Sequence, residues 1–302
     1  MKIFLAGATG VVGRLLLPLF IDAGHAVIGS TRDAAKAKQI ADAGGEPVIV
    51  DVLNRKATFA AVHNAQPDAV IHQLTDLSER DFAANSRLRV EGTRNLVDAS
   101  LAVGVQRVIA QSIAWMYVPG VDPAHEDEPL DVHAPAPRDL AVAAVSSLEH
   151  AVAKMPIGVI LRYGLFYGPG TWYGRDGLTT QQMRRGDFEA SDGVTSFVHV
   201  ADAAQAAIDA LRCVGRRAAT TSWTMPLRKE VSGCRSMLVW SAHRIHSSSR
   251  MHQAGSVAHQ MPKCAVWVGV QSIQVGAKAS ELLWVNTPAP SSRRRPRSGS
   301  RR

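Results

Sequence analysis

The sequence predicts an α/β fold in which a parallel sheet is doubly wound, with helices on both faces. Three observations carry that expectation. Short apolar runs alternate with helix-like runs from residue 2 to residue 212, the pattern of successive βαβ units. The first apolar run feeds a glycine-spaced turn that opens a helical run. The 302-residue chain, 46% hydrophobic and 20% charged, is also long enough to bury a sizeable core. The same arithmetic excludes a wholly disordered chain, a collagen and a disulfide-dense small domain.

Taken in order, Lys2–Ala6 is the first strand and Val12–Ala23 the first helix, ended by Gly24-His25. Ala26–Ser30 is the second strand. Ala34–Ala43 has helical composition and stops at Gly44-Gly45. Pro47–Val50 is a strand, Ala57–Asn64 a helix and Ala69–His72 a strand. Phe82–Gly104 is one long helical stretch, followed by the strand Val105–Ala110. A helix lies between Pro135 and Lys154, the strand Ile157–Arg162 follows, and Ala201–Leu211 is the last helix. No apolar run reaches the roughly 20 residues that span a bilayer. The apolar start after Met1-Lys2 is Gly-rich and reads as a strand rather than a leader, so a cytoplasmic protein is expected.

The motif with the most chemistry is Gly7-Ala8-Thr9-Gly10-Val11-Val12-Gly13. Between a strand and a helix, such glycines allow a tight turn and let backbone N–H groups approach a pyrophosphate at the helix N-terminus. The expectation is a dinucleotide site on a Rossmann-type sheet. At the end of the second strand, an acidic residue would bind a ribose 2′-hydroxyl. Here the text is Thr31-Arg32, a hydroxyl and a guanidinium fork suited to a 2′-phosphate. NADP(H) is therefore expected over NAD(H).

These residues resemble the extended or atypical short-chain dehydrogenase/reductases of the NAD-dependent epimerase/dehydratase group. Further motifs follow in the family's order. Asp51-Val52 is similar to the pair that meets the adenine, and Asn95 lies in a segment like the family's long helix. Gln111-Ser112-Ile113-Ala114 stands where the active-site Ser/Thr segment follows the fifth strand. Leu161 to Gly170 resembles the Leu-Arg…Tyr-Gly-Pro-Gly segment, and Phe197 to Asp202 the Val-His-Val-x-Asp segment. The resemblance covers residues 1–212. It implies hydride transfer or epimerisation at a hydroxyl or carbonyl carbon, with a nucleotide-sugar-like molecule as one substrate class.

One departure stands out. The family's redox chemistry uses Tyr-x-x-x-Lys, with tyrosine as general acid/base and lysine lowering its pKa one helical turn away. Aligned on Glu149, those positions fall on Ala141 and Val145, and neither moves a proton. Lys154 has His150, not tyrosine, four residues before it. Ser112 and Tyr117 are left as the catalytic candidates, with Tyr163 and His199 weaker ones. His199 and Asp202 resemble positions that line or brace the site. Glu126-Asp127-Glu128 reads as a solvated loop. The cysteines lack C-x-x-C spacing, His243 and His246 lack nearby carboxylates, and no metal site is expected.

After residue 212 the text changes. Residues 1–212 carry 19 Lys+Arg against 24 Asp+Glu, and residues 213–302 carry 15 against 2. All three cysteines and four of the six tryptophans lie in the second part. Periodicity is lost there, and Ser291 to Ser298 is basic and low in complexity. The division expected is a nucleotide-binding domain over 1–212 and a basic, irregular region over 213–302. Back-translating Ala219 to Pro226 with permitted codons and reading a displaced frame yields Tyr-Asn-Val-Met-Asp-Asp-Ala. That is the strand text the resembled family carries after its last Rossmann helix. A frameshift near residues 213–218 is therefore expected. The alternative is a genuine basic tail binding nucleic acid through phosphate contacts, but no nucleic-acid-binding fold accompanies it.

The activity expected is that of an NADP(H)-binding oxidoreductase or epimerase, with a small-molecule substrate and a homodimer as its assembly. A non-catalytic NADP(H)-sensing protein is the other reading of the missing Tyr-Lys pair.

Overall fold

In the computed structural model the described residues are 1–213, apart from 78–79, 121–123, 125–127 and 189–193. Beyond 213 they are the short strands Leu227–Lys229, Leu238–Trp240, Cys264–Val268 and Ile273–Gln274. Aliphatic runs such as Ile3-Phe4-Leu5-Ala6 are buried on both faces, which suits a parallel sheet covered by helices rather than one facing water. The elements are β1 (Lys2–Ala6), α1 (Gly13–Asp22), β2 (Ala26–Thr31), α2 (Ala37–Asp42), β3 (Glu46–Ile49), α3 (Arg55–Ala65) and β4 (Ala69–His72). Then follow α4 (Phe82–Arg87), α5 (Thr93–Ala102), β5 (Arg107–Ile113), α6 (Arg138–Val152) and β6 (Ile157–Tyr163).

The sheet order is β6-β5-β4-β1-β2-β3, all parallel, and the strand Cys264–Val268 pairs parallel with β6 at its outer edge. The order reverses between β1 and β4. Such a switch point opens a crevice at the carboxyl ends of the strands, where ligands of open α/β sheets bind. One hydrophobic cluster packs α1 and the final helix α8 (Val200–Cys213) on one face. A second packs α3, α5 and α6 on the other. The doubly wound α/β expectation holds.

Three features depart from the sequence reading. The stretch Phe82–Gly104 is helical, but α4 and α5 are joined by the π-helical turn Leu88–Gly92. The region after β6 contains β7 (Leu165–Tyr167) and α7 (Leu178–Arg185), then β8 (Val194–Thr195) and β9 (Phe197–His199), with β7 and β9 paired parallel. These strands are too short to show a period in sequence. Beyond residue 213 the sequence suggests no element, whereas short strands are described there.

Candidate functional site

The turn after β1 shows why its glycines are needed. Gly7 has φ +87°, and a Cβ there would lie 2.9 Å from the Gln73 carbonyl oxygen beyond β4. A Cβ on Gly13 would lie 2.0 Å from the Gly7 carbonyl, so α1 begins against the turn only without a side chain. The Gly10 N–H bonds the Gly7 carbonyl (3.0 Å) and the Ala8 N–H bonds the Ser30 carbonyl (3.1 Å). Among the described residues no backbone bond uses the N–H groups of Val11 and Val12. They stand at the N-terminus of α1, where a pyrophosphate would be received. Arg14 does not serve that purpose: its Nη2 donates to the Pro169 carbonyl (3.0 Å) and ties the Gly168–Gly170 loop over α1.

At the end of β2, Thr31 is buried and its hydroxyl bonds the Asp33 backbone; Thr9 Oγ1 lies 3.5 Å from it. Arg32 is half-exposed, and both its terminal nitrogens donate to the Asp76 carboxylate at 2.7 Å. That hydrogen bonding raises the Arg32 pKa and lowers that of Asp76. The guanidinium is where a 2′-phosphate reader is expected, but already engaged. Asp51 is exposed, with Oδ1 accepting from the Leu53 N–H (2.9 Å). Val52 is buried, and its carbonyl accepts from Asn95 Nδ2 (2.9 Å), so Asn95 holds the loop that would meet an adenine.

A cavity of about 200 Å³ opens from the turn at Val11 and Val12 and runs across the ends of β4, β5 and β6. Its β5 wall is Gln111 and Ile113, not Ser112. Successive strand residues face opposite sides of a sheet, and Ser112 pairs in register with Arg162 on the α6 side. There the Ser112 hydroxyl donates to Glu149 Oε1 (2.7 Å). Arg162 donates from Nε to Oε1 (2.9 Å), from Nη2 to Oε2 (2.6 Å) and from Nη1 to the Tyr117 hydroxyl (2.8 Å). The structure thus brings the two catalytic candidates together, but in a buried ionic network behind the wall. Neither Ser112 nor Tyr117 lines the cavity. Burial pulls the Arg162 guanidinium down, but its bonds to Glu149 and Tyr117 outweigh this and hold it above its usual value.

The helix wall of the cavity includes Ala141, and Val145 is fully buried behind it. The places resembling the Tyr-x-x-x-Lys pair therefore face the cavity region with apolar groups. Among the described lining residues there is no carboxylic acid, histidine, lysine or cysteine. Tyr163 lines it, but its hydroxyl donates to the Ala203 carbonyl (2.8 Å), and burial pushes its pKa far up. Burial also raises the pKa of Tyr173 on the opposite side. His199 lies outside the lining. It stacks edge-on against Tyr167, with ring centroids 5.1 Å apart, and would sit 2.5 Å from a Cβ on Gly168. It braces the loop. Among the described residues no His, Cys, Asp and Glu side chains group as metal ligands.

Several lining residues escaped the sequence reading. Gln73 is 4% exposed and lines the cavity beside Tyr163. Phe82, Asn85, Ser86 and Arg89 reach the cavity from one stripe of α4 and the π-helical turn. The helical spacing of Phe82, Asn85, Ser86 and Arg89, at i, i+3, i+4 and i+7, was the signal available for Arg89. The aromatic walls Trp115 and Trp172 had none, because loops bring them in.

A glycine turn at the switch point of a doubly wound sheet, opening into an adjoining cavity, defines a dinucleotide-binding protein of the short-chain dehydrogenase/reductase type. Residues 3–219 match the model of the NAD dependent epimerase/dehydratase family, and the chain belongs to that family. It is 45% identical over 223 residues to a Streptomyces protein named 3-diazoavenalumate denitrifying reductase, covering 70% of this chain and 72% of that one. Among solved structures it resembles Bordetella bronchiseptica WbmH in complex with NAD+ (TM-score 0.58, 22% identity, 70% and 72% coverage). It also resembles Thermus thermophilus UDP-glucose 4-epimerase in complex with NAD (TM-score 0.57, 23% identity, 70% and 74% coverage). No helix among the described residues is long and apolar enough to cross a membrane.

Proposed function

We propose that this chain is an NAD(P)H-dependent reductase of electron-poor aromatic substrates, with an arenediazonium as the substrate class. The observation that carries the reading is Ala141, an apolar side chain lining the cavity at the position that resembles the family's tyrosine, with buried Val145 at the position of its lysine. Reduction of a carbonyl develops an alkoxide that a positioned acid must protonate. An acceptor that already bears positive charge needs no such acid. A nicotinamide, when bound, would supply one hydride; the balance is then ArN2+ plus hydride to ArN=NH, and ArN=NH to ArH plus N2. The name of the Streptomyces relative, a denitrifying reductase of a diazo compound, agrees with this stoichiometry.

The roles of this chain's residues follow. Gly7, Gly10 and Gly13, with Ala8, Thr9, Val11 and Val12, shape the pyrophosphate turn. Asp51 and Val52 border the adenine. Thr31 and Arg32 stand at the ribose, where Arg32 supports NADPH over NADH once a 2′-phosphate displaces Asp76. Phe82, Trp115 and Trp172 present apolar faces to a planar ring and keep water from the reacting end. Ser112 and Tyr117 act as positioning residues, through Glu149 and Arg162.

The test follows NADPH consumption by the full chain with benzenediazonium. Benzene and N2, in amounts matching the NADPH consumed and at a rate above that of heat-inactivated protein, are expected. NADPH binding without turnover would instead favour the sensing reading, and turnover of ketones but not diazonium would return the chain to carbonyl chemistry.

A further inference from the structure

Arg89 is the cation among the described lining residues, and no described residue gives it a counter-ion. It is 7% exposed, and no hydrogen bond or salt bridge joins it to another described residue. Burial lowers its pKa to about 10, which leaves it charged at neutral pH. The nearby His72 cannot balance it. Its Nδ1 accepts from the Leu74 N–H (3.2 Å), so Nε2 carries the proton toward Thr93 Oγ1 (2.8 Å). Burial, with the Arg89 charge adding, pushes His72 down to about 4, so the ring is neutral. A buried, unpaired guanidinium is costly to the folded state unless an anion completes it.

The surroundings say what kind of anion. Most of the wall is aromatic or aliphatic, including Phe82, Trp115, Phe166 and Trp172. The other polar side chains of the lining, among them Gln73, Thr75, Asn85, Ser86 and Gln111, are uncharged. The Asn85 carbonyl accepts from the Asp76 N–H (2.9 Å). A strongly hydrated ion such as free phosphate would lose much of its shell against the apolar walls, with a single cation to compensate. A flat hydrophobic acid would not.

We infer that the cavity binds a planar aromatic acid with its oxyanion on Arg89, and that this residue sets substrate selectivity. The assignment rests on the cavity being the substrate side of the proposed nucleotide site. It does not require the proposed reaction. The guanidinium fork accepts a carboxylate through two parallel N–H···O bonds, and the aromatic walls hold the ring.

The experiment is calorimetric titration of the full chain, with saturating NADPH, by cinnamate and by its uncharged methyl ester. The parent chain should prefer the acid. R89Q should lose about 10- to 100-fold in cinnamate affinity, bind the ester at least as well as before, and keep its NADPH affinity. R89K should retain part of the preference. R89M, which removes the unpaired charge, should melt no lower than the parent while losing the acid. Equal binding of acid and ester by the parent chain, or cinnamate affinity unchanged in R89Q, overturns the assignment and leaves diazonium reduction standing. Charge-selective binding without diazonium turnover overturns the reaction and leaves the assignment standing.

Discussion

Glu149→Gln tests the ionic network behind the cavity. The parent carboxylate receives three charge-assisted bonds, from Ser112 at 2.7 Å and from Arg162 at 2.9 and 2.6 Å. Side-chain exposures are 14% for Arg162 and 10% for Glu149. An amide keeps one acceptor. If its oxygen serves Ser112 and Arg162 Nε, its amino group meets the Nη2 donor, and the guanidinium loses its bond to Oε2 and the opposing charge. Breaking one side of a buried pair costs about 3–5 kcal/mol. Slight solvent access places this case near the lower end, about 3 kcal/mol. For a folded unit of this size that lowers Tm by about 6–12 °C. Circular dichroism melts and urea titrations of both proteins supply the value. The double variant Glu149→Leu with Arg162→Leu removes both charges and should recover to within about 2 kcal/mol of the parent. A loss below about 1 kcal/mol in the single variant, or a double variant worse than the single, would refute the reasoning.

Other expectations follow from the same geometry. Asp76→Asn frees the Arg32 fork and should raise the NADPH-over-NADH affinity ratio about 5- to 10-fold, whereas Arg32→Ala should abolish it; fluorescence titration of both cofactors decides, and an unmoved ratio in both variants refutes the 2′-phosphate role. Ser112→Ala and Tyr117→Phe should each change kcat by less than about threefold while costing about 1 kcal/mol of stability; a hundredfold loss of kcat with unchanged Tm would make them catalytic after all. The folded-state pKa of His72, about 4 against 6.5, means that the unfolded chain binds the extra proton. Stability should therefore be full above pH 6.5 and fall by up to about 3 kcal/mol as pH drops toward 4, an acid limb that His72→Asn should flatten in melts across pH. Sequencing the coding DNA across residues 205–235 should reveal a displaced frame that restores Tyr-Asn-Val-Met-Asp-Asp. An intact frame in independent isolates would count against it.

Much of the fold was legible because its signals are local. Strand and helix runs, the turn from Gly7 to Gly13 and the change of text after residue 212 need only neighbouring residues to be read. The absence of tyrosine and lysine from α6 was legible in the same way, and the structure gives it meaning by facing Ala141 into the cavity. Ser112 shows the limit. Its segment was found, but the run Val108–Ile113 is buried on both faces, so nothing in its pattern told which side each residue takes. A one-residue change of phase exchanges the two faces of a strand, and pairing with Arg162 settled the phase.

By itself, then, the sequence determined a doubly wound fold of the NAD-dependent epimerase/dehydratase family, its glycine turn and the lack of a Tyr-x-x-x-Lys pair on α6, since each depends on residue type and short spacing. Only the tertiary structure decided that Asp76 already holds Arg32, that Ser112 and Tyr117 join an ionic network, and that Arg89 faces an aromatic cavity with no counter-ion among the described residues. Those contacts join residues distant in the chain, and the side chains that meet depend on sheet register and on the π-helical turn between α4 and α5.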